Sequence, residues 1–405
     1  MFTMMVNPLK ARLSRKNIAA TLKLRTALAL VAAAGLLSGA SQAWAQTPSI
    51  DILYTNPNMT DSGAQLTNVN GTLWGEDKNT GIIYSYNTTN NVANIYSGSS
   101  GDTMAFTYYN GYLYNAPNNI IQKVNPSSGA VVSTYSESSY SPMFGTMLQY
   151  NNMLYGTSYY GSIVAFNPNT GSISSLGVNS KASIDSGFVN VNGMFYGTTW
   201  SGGTNGYGSI FSFNPVNNSI TSLFSFNNTN GSYPEGTNPL AYNNGVLYGV
   251  TFEGGAGNNG VLFSYNIASN TYTILQYFNS ATGTSPDPNV LYDNGVLYGT
   301  TMNSGANNNG TVFSYNLINN SFNVLASFNA TDGAPSAGLT VVGNTLYGVT
   351  GNDAIYEVAG YQVGSITTPS SGGGTSVPEP SSLLLFAPAL LGLGFILKRK
   401  HGVVH

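Results

Sequence analysis

Short runs of alternating apolar and polar residues recur along this chain, and each run ends in a polar turn. The decapeptide YNNGVLYGVT, which begins at Tyr242, returns as YDNGVLYGTT from Tyr292. Its Leu-Tyr-Gly core recurs, with some variation, at spacings of 40, 41, 41, 52, 50 and 49 residues. Periods of this size are typical of arrays of supersecondary units. The seven copies begin at Leu73, Leu113, Leu154, Phe195, Leu247, Leu297 and Leu346.

Each copy predicts four short strands, which in the fifth copy are PLAYN, VLYGVT, VLFSYN and TYTILQYF. Asn-Gly separates the first two strands in five copies and favours a two-residue type I′ hairpin, because both central residues need positive φ. The pattern predicts an all-β, seven-bladed β-propeller of four-stranded antiparallel blades. The five turns are Asn70-Gly71, Asn110-Gly111, Asn192-Gly193, Asn244-Gly245 and Asn294-Gly295.

The two ends of the repeat region predict a closed ring. The seventh copy supplies three clear strands and a doubtful fourth, whereas SIDILYTN, from Ser49, reads as a strand that precedes the first copy. Pairing this N-terminal strand into the last blade would leave no open edge. The alternatives are a β-solenoid or sandwich array, and an outer-membrane barrel, which needs strands of about 9–11 residues.

The charge of the repeat region excludes several classes of function. Between residues 46 and 397 lie only Lys78, Lys123 and Lys181 against all fifteen acids, which gives 3 − 15 = −12. No basic footprint for nucleic acid is present. The chain has no Cys, and both histidines, His401 and His405, lie at its C-terminus. The composition therefore excludes disulfides, a His-assisted triad and a His or Cys zinc site from the body, and we predict no catalytic residue, metal or cofactor.

The N-terminal residues 1–45 are expected to be a signal peptide. A basic stretch through Arg25 precedes the apolar run TALALVAAAGLLSGA, and AWA at Ala43–Ala45 supplies small residues for signal peptidase. The predicted organisation continues with the propeller at 46–363 and a Gly/Ser/Thr linker at 364–376.

The C-terminal segment has three parts in order: VPEP, the apolar run SSLLLFAPALLGLGFIL and a basic cluster. The apolar run is long enough for a minimal transmembrane helix, and the basic cluster would keep its end in the cytoplasm. Residues 377–400 resemble the PEP-CTERM sorting signal, and 401–405 follow as a tail. This resemblance implies a Gram-negative bacterium that makes exopolysaccharide, transient anchoring in the inner membrane, processing by an exosortase, and a final place at the cell surface or in the matrix. A plain C-terminal anchor is the alternative. The residues concerned are Val377, Pro378, Glu379, Pro380, Lys398, Arg399 and Lys400.

The repeat itself, LYGTT followed by SGG and G-x-V-F-S-Y, resembles the GloVer (HAF) extracellular tandem repeat. Copies four to six match best, whereas LWGEDKNTGIIYSYN in copy one lacks the Thr pair and the Gly pair. The resemblance implies an extracellular repeat protein, and no catalytic residues carry over from it.

Candidate binding residues lie where the later copies carry their extra length. In a four-stranded meander, the loops between the second and third strands and the crossovers to the next blade emerge on the same face. Variation in loop length on one face often marks a binding face. Partly exposed aromatics there would stack on sugar rings, and the alternative is that they plug the blade interfaces. Three residues beyond the Leu-Tyr-Gly glycine stand Lys78, Asn118, Tyr159, Trp200, Phe252, Met302 and Gly351, of which Tyr159, Trp200 and Phe252 are the candidates.

Four acids, Glu235, Glu253, Asp287 and Asp332, lie in the long loops or crossovers. A pair of them would serve as general acid and base or as Ca²⁺ ligands, and the simpler interpretation is solvated charge. We therefore expect an exported, non-catalytic propeller that interacts with exopolysaccharide, matrix or another surface protein. The alternatives are a carboxylate-based carbohydrate-active enzyme and a spacer without ligand, in which the candidate aromatics would be buried.

Overall fold

The computed structural model describes the repeat region with short gaps. No helix of the described residues is long and apolar enough to cross a membrane. The predicted signal peptide, linker, sorting signal, apolar C-terminal helix and tail lie outside the described residues. The described residues are 47–55, 65–77, 79–98, 105–117, 120–136, 143–158, 161–178, 183–184, 186–234, 238–352, 354–361 and 363.

The described residues form seven antiparallel sheets, which are the predicted propeller blades. In blades one to five, four consecutive strands pair in chain order. The strands of blades one to three are β2 Thr67–Val69, β3 Thr72–Glu76, β4 Ile82–Asn87, β5 Val92–Ser97; β6 Thr107–Tyr109, β7 Tyr112–Asn115, β8 Ile120–Val124, β9 Val131–Ser136; β10 Met143–Tyr150, β11 Met153–Ser158, β12 Ser162–Phe166, β13 Ile173–Val178. Those of blades four and five are β14 Val189–Val191, β15 Met194–Thr199, β16 Ser209–Asn214, β17 Ser219–Ser225; β18 Ala241–Asn243, β19 Val246–Thr251, β20 Val261–Asn266, β21 Thr271–Tyr277.

Blade six differs from the prediction by one strand. A segment that we expected to be part of the crossover forms a short additional strand. It pairs with the second strand of the blade, as the innermost strand does, and places Thr284 opposite Asn303 and Pro286 opposite Thr301. The sheet therefore has five strands rather than four. They are β22 Thr284–Pro286, β23 Leu291–Asp293, β24 Val296–Asn303, β25 Thr311–Asn316 and β26 Ser321–Ser327.

The seventh blade closes the ring as the sequence predicted. It contains β27 Thr340–Val342, β28 Thr345–Val349 and β29 Ala354–Ala359, and its outermost strand is the N-terminal β1 Ser49–Thr55. Strand β1 runs antiparallel to β29, with a bulge between Ile52 and Tyr54. The pairing joins the two ends of the repeat region and leaves no gap in the last blade.

The hairpins between the first two strands follow the predicted turn chemistry. All five Asn-Gly turns have positive φ at both residues, as in Asn294 at 45° and Gly295 at 86°. Blade three achieves the same geometry with Asn151 at 48° and Asn152 at 61°. The blade seven loop connects Val342 to Thr345, and only its first residue, Gly343, has positive φ, which fits a type II′ turn.

Within the described ranges, the buried hydrophobic residues form seven clusters, one between each pair of neighbouring blades. The cluster at the ring closure joins Leu73 and Tyr84 of blade one to Ile355 of blade seven. Within blades, the Leu-Tyr-Gly glycine makes room for an aromatic ring of the third strand. A Cβ on Gly299 would lie 2.5 Å from Cζ of Phe313, so a larger residue cannot fit without movement.

Candidate functional site

The long-loop face, defined by the loops between second and third strands together with the crossovers, carries two of the three predicted aromatics. Trp200 and Phe252 directly follow strands β15 and β19, and both side chains are half-buried. They are therefore neither sealed in the core nor fully exposed. Tyr159 lies outside the described residues, as do Lys78 and Asn118 at equivalent positions.

Trp200 and Phe252 belong to a group of four half-buried aromatics, Trp200, Tyr207, Tyr233 and Phe252, which we term the aromatic shelf. The ring of Tyr233 lies 5.1 Å from that of Trp200, with 49° between the planes, and 6.1 Å from that of Tyr207. The main-chain N–H of Phe252 donates to the carbonyl of Tyr233 at 3.0 Å. The shelf thus joins blades four and five through the crossover between them.

Two shelf residues, Tyr207 and Tyr233, were not selected from the sequence, and the more unusual of them is Tyr233. Its φ of +55° is unusual for a residue with a side chain, since this region costs about 1–2 kcal/mol. Hydrogen bonds hold it there, because its N–H donates to the Tyr207 carbonyl at 3.0 Å and the adjacent Ser232 pairs in both directions with Glu253. The available signal was a lone aromatic before Pro234 in a crossover rich in Asn and Gly.

A central cavity of about 670 Å³ lies among the innermost strands and has lining residues from every blade. The described residues that line it carry no Lys, Arg, Asp or Glu side chain, so the wall presents apolar groups, hydroxyls and amides. Such a surface matches a neutral polar ligand better than an ionic one. Representative lining residues are Gln65, Ala105, Thr146, Val189, Asn238, Asn289 and Thr340.

A chain of amides crosses this cavity at the end where the crossovers enter the innermost strands. The Asn238 amide donates to the Gln65 side-chain oxygen, which links blade five to blade one. The Thr146 hydroxyl donates to Oδ1 of Asn238 at 3.2 Å, and Oδ1 of Asn289 accepts from the Asn238 N–H at 3.1 Å. Residues of four blades therefore hold one another across the cavity. The crossover that carries Tyr233 also carries Asn238.

The predicted loop acids have separate environments. Asp287 is buried, and its Oδ1 accepts from the N–H and the side-chain amide of Asn289 at 3.1 and 2.7 Å. Glu253 and Asp332 are half-buried, and Oδ2 of Asp332 accepts from the N–H of Asn329; Glu235 lies outside the described residues. Within the described part of the chain, no three His, Cys, Asp or Glu residues are grouped to hold a metal.

A further acid, Glu76 at the end of β3, was not selected from the sequence. Its side chain is fully buried. Burial raises the pKa of its carboxyl to about 8; the hydrogen bond from Asn115 acts in the opposite direction, and the neighbouring Asp77 raises the pKa further. The signal in the sequence was the place of Glu76, which occupies the first position of the Thr pair found in other copies.

Comparison with known proteins identifies the repeat and the fold. The profile described as Gloeobacter/Verrucomicrobia repeat matches residues 156–360, just over half of the chain. No curated protein matches the sequence.

Among solved structures, a selenomethionine-substituted virginiamycin B lyase from Staphylococcus aureus is similar with a TM-score of 0.57 and 15% identity, covering 76% of this chain and 98% of that one. The computationally designed Ika8 protein gives a TM-score of 0.51 and 8% identity, with 77% and 99% covered. BamB from Moraxella catarrhalis gives 0.48 and 15%, with 75% and 84% covered. At these identities, the first two similarities concern the fold alone.

Proposed function

This chain belongs to the Gloeobacter/Verrucomicrobia repeat family, and from that premise we propose that it is an exported, surface-sorted propeller that binds a neutral glycan of the extracellular matrix without catalysis. The binding surface would be the long-loop face, with the aromatic shelf as its anchor. The ligand would be a neutral exopolysaccharide, because sugar rings offer flat C–H faces to aromatics and hydroxyls to amides.

The aromatic shelf is the observation that carries this proposal. Trp200, Tyr233 and Phe252 keep accessible surface although each is held by a main-chain hydrogen bond, and Tyr233 maintains a left-handed conformation to take part. Aromatics fixed in advance lose little conformational freedom when a ligand stacks on them. A spacer without ligand would give no reason to keep these rings partly open to solvent.

The acids favour binding over glycoside hydrolysis. A hydrolase needs two carboxyl groups that flank one bond, about 5–10 Å apart. Asp287 is buried against its own Asn289 amide, and Asp332 caps a turn by accepting from Asn329. Each of these carboxylates already serves its own loop, which supports a structural role for them.

The proposed route to the cell surface rests on the two ends of the chain. Signal peptidase would remove residues 1–45, and an exosortase would process the PEP-CTERM segment 377–400 after transient anchoring in the inner membrane. A pulse-chase with a tag in the linker 364–376 tests this route. The Glu379→Ala variant should remain unprocessed in an exosortase-positive host, and processing at the unchanged rate would refute the assignment.

Glycan binding is tested by affinity electrophoresis of the full chain in gels that contain neutral or acidic polysaccharides. Neutral polysaccharide should retard the wild type, and Trp200→Ala should weaken that binding at least tenfold, which corresponds to about 1.4 kcal/mol. The matched control is Tyr277→Ala, which removes an aromatic that is 43% exposed on the outer strand β21. Equal retardation of the two variants, or no retardation of the wild type, would refute the proposal. Release of reducing sugar would instead support the hydrolase.

A further inference from the structure

The interface between blades one and two breaks a rule that the other interfaces follow. At the Leu-Tyr-Gly glycine position, blade two has Asn115, and the paired residue of the third strand is Gln122. The other blades keep glycine there, paired with an aromatic in five of them and with Val164 in blade three. The aromatic partners are Tyr84, Phe211, Phe263, Phe313 and Tyr356.

The preceding blade changes at the position that faces this pair. Trp74 and Glu76 share one face of β3, because strand side chains alternate, and Trp74 belongs to the cluster between blades one and two. Leu113, on the same face of β7 as Asn115, belongs to that cluster too. Glu76 therefore points into the same interface as Asn115 and Gln122. At the other interfaces, the residue equivalent to Glu76 is Ala116, Thr157, Thr198, Val250, Thr300 or Val349.

These three polar side chains are buried and incompletely paired. Glu76 and Gln122 are 0% exposed and Asn115 is 1% exposed. The Asn115 amide donates to Oε2 of Glu76. Among the described residues, Oε1 of Glu76, Oδ1 of Asn115 and both polar atoms of the Gln122 amide have no hydrogen-bond partner. Buried polar atoms rarely lack a hydrogen-bond partner. Three of these four unpaired atoms are oxygen acceptors, and one is a nitrogen donor.

The basic residue of β8, Lys123, does not compensate the charge of the Glu76 carboxylate. Lys123 follows Gln122 and points to the opposite face of the strand, where its ammonium lies 3.9 Å from the ring centroid of Tyr112. Asp77, the next residue in the chain, adds a second fully buried acid. A buried carboxylate needs a cation, a proton or several donors to be stable.

We propose that Glu76, Asn115 and Gln122 form a binding site for a hard divalent cation, of which Ca²⁺ is the best match, between blades one and two. Ca²⁺ takes carboxylate and amide oxygens, together with main-chain carbonyls and water. The carboxylate of Glu76 would supply the charge and the two amides would turn their oxygens to the ion. One carboxylate among neutral ligands gives weak sites, so we expect a Kd of about 10⁻⁴–10⁻³ M, the range of extracellular modules. The site is independent of the proposed glycan surface.

The test is thermal unfolding and calorimetric titration of the full chain, first in EDTA and then with added CaCl₂. Wild type should bind one Ca²⁺, and for a Kd of about 1 mM the apparent folding constant should rise about tenfold at 10 mM Ca²⁺. Glu76→Gln should abolish this rise. The matched control is Glu253→Gln, which removes a half-buried acid of the long-loop face far from this interface and should leave the Ca²⁺ response unchanged.

A second variant keeps the test decisive if Glu76→Gln does not fold. Asn115→Asp adds a carboxylate to the site and should tighten Ca²⁺ binding about tenfold. Unchanged affinity in Asn115→Asp, a Ca²⁺ response retained in Glu76→Gln, or no response of the wild type to Ca²⁺ would each overturn the proposal. Wild-type stability that depends on pH through Glu76 but not on Ca²⁺ would also overturn it, and would assign the position to a proton.

Discussion

The interface between blades five and six and the interface between blades one and two occupy equivalent places in the ring and are filled in opposite ways. At the first, the ring of Phe313 packs over Gly299 and contributes to a cluster that includes Val250 of the preceding blade. At the second, Gln122 pairs with Asn115, and the Asn115 amide donates to Glu76. The three backbone pairs of the Leu-Tyr-Gly core correspond in the two blades, so the blade tolerates either an apolar or a polar filling at this depth.

The comparison indicates that these two regions diverge at the blade interface and not in the first hairpin turn. The family profile begins at Gly156 in blade three, so blades one and two lie outside the matched region. Yet the Asn-Gly hairpins of both blades keep positive φ at both residues, as in blade six. The chain therefore preserves the local signals that form a blade and varies the residues by which one blade recognises the next.

The largest expected difference between the two interfaces comes from truncating the third-strand residue. Phe313→Ala should lower the free energy of unfolding by about 3–5 kcal/mol, because it opens a cavity in a fully buried cluster. Gln122→Ala in EDTA should change it by less than about 1 kcal/mol, because the amide that it removes has no hydrogen-bond partner in the described part of the chain. Denaturant unfolding followed by fluorescence measures both. Equal losses would show that Gln122 acts as packing and that the two interfaces do not differ in kind.

Much of the fold was predictable because its signals are local. The repeated Leu-Tyr-Gly core gave the number of blades, Asn-Gly gave the hairpins, and SIDILYTN gave the closing strand; the structure confirms each. The turn of blade three shows how local the rule is, since Asn152 takes the place of glycine and still adopts positive φ.

The features that sequence reasoning missed depend on contacts between distant segments. The strand Thr284–Pro286 forms only because β24 extends far enough to pair with it. Tyr233 joins Trp200 through a crossover whose path no local pattern specifies. Glu76 and Gln122 were visible as departures from the repeat, but their meeting requires the alignment of neighbouring blades. The role of Tyr159 stays a prediction.

The next largest expected effect is the pH dependence of stability, which should distinguish the interface that contains Glu76 from the apolar interface between blades five and six. Its pKa is raised by burial from 4.5 to about 8. The folded chain therefore keeps a proton that the unfolded chain releases. The stability that this proton provides is fully present below about pH 4.5 and is lost as the pH rises through about 8.

Glu76→Gln cannot lose that proton, so in EDTA the wild type should become less stable relative to it between pH 5 and pH 8.5. Each pKa unit corresponds to about 1.4 kcal/mol, and with allowance for relaxation around the buried group we expect a change on the order of 2 kcal/mol. Denaturant unfolding of both proteins at several pH values measures it. A constant difference between the two would mean that Glu76 titrates normally and that its burial is compensated.

The smallest expected effect is that of substituting the glycine of the first hairpin, and it should be equal in blades two and six. Gly111 and Gly295 are the second residues of the hairpin turns in blades two and six, with φ of +83° and +86°. Of the residues that the structure describes, a Cβ on Gly111 would meet none within 4 Å, and one on Gly295 would meet only Ile318 at 3.7 Å, so neither substitution creates a clash with them. Gly111→Ala and Gly295→Ala should each lower stability by about 1 kcal/mol, the cost of placing a side chain in this backbone region. Equal losses in denaturant unfolding would show that the blades differ at their interfaces and not in their hairpins. A loss of stability in only one of the two variants would show that the two blades also differ in their hairpins.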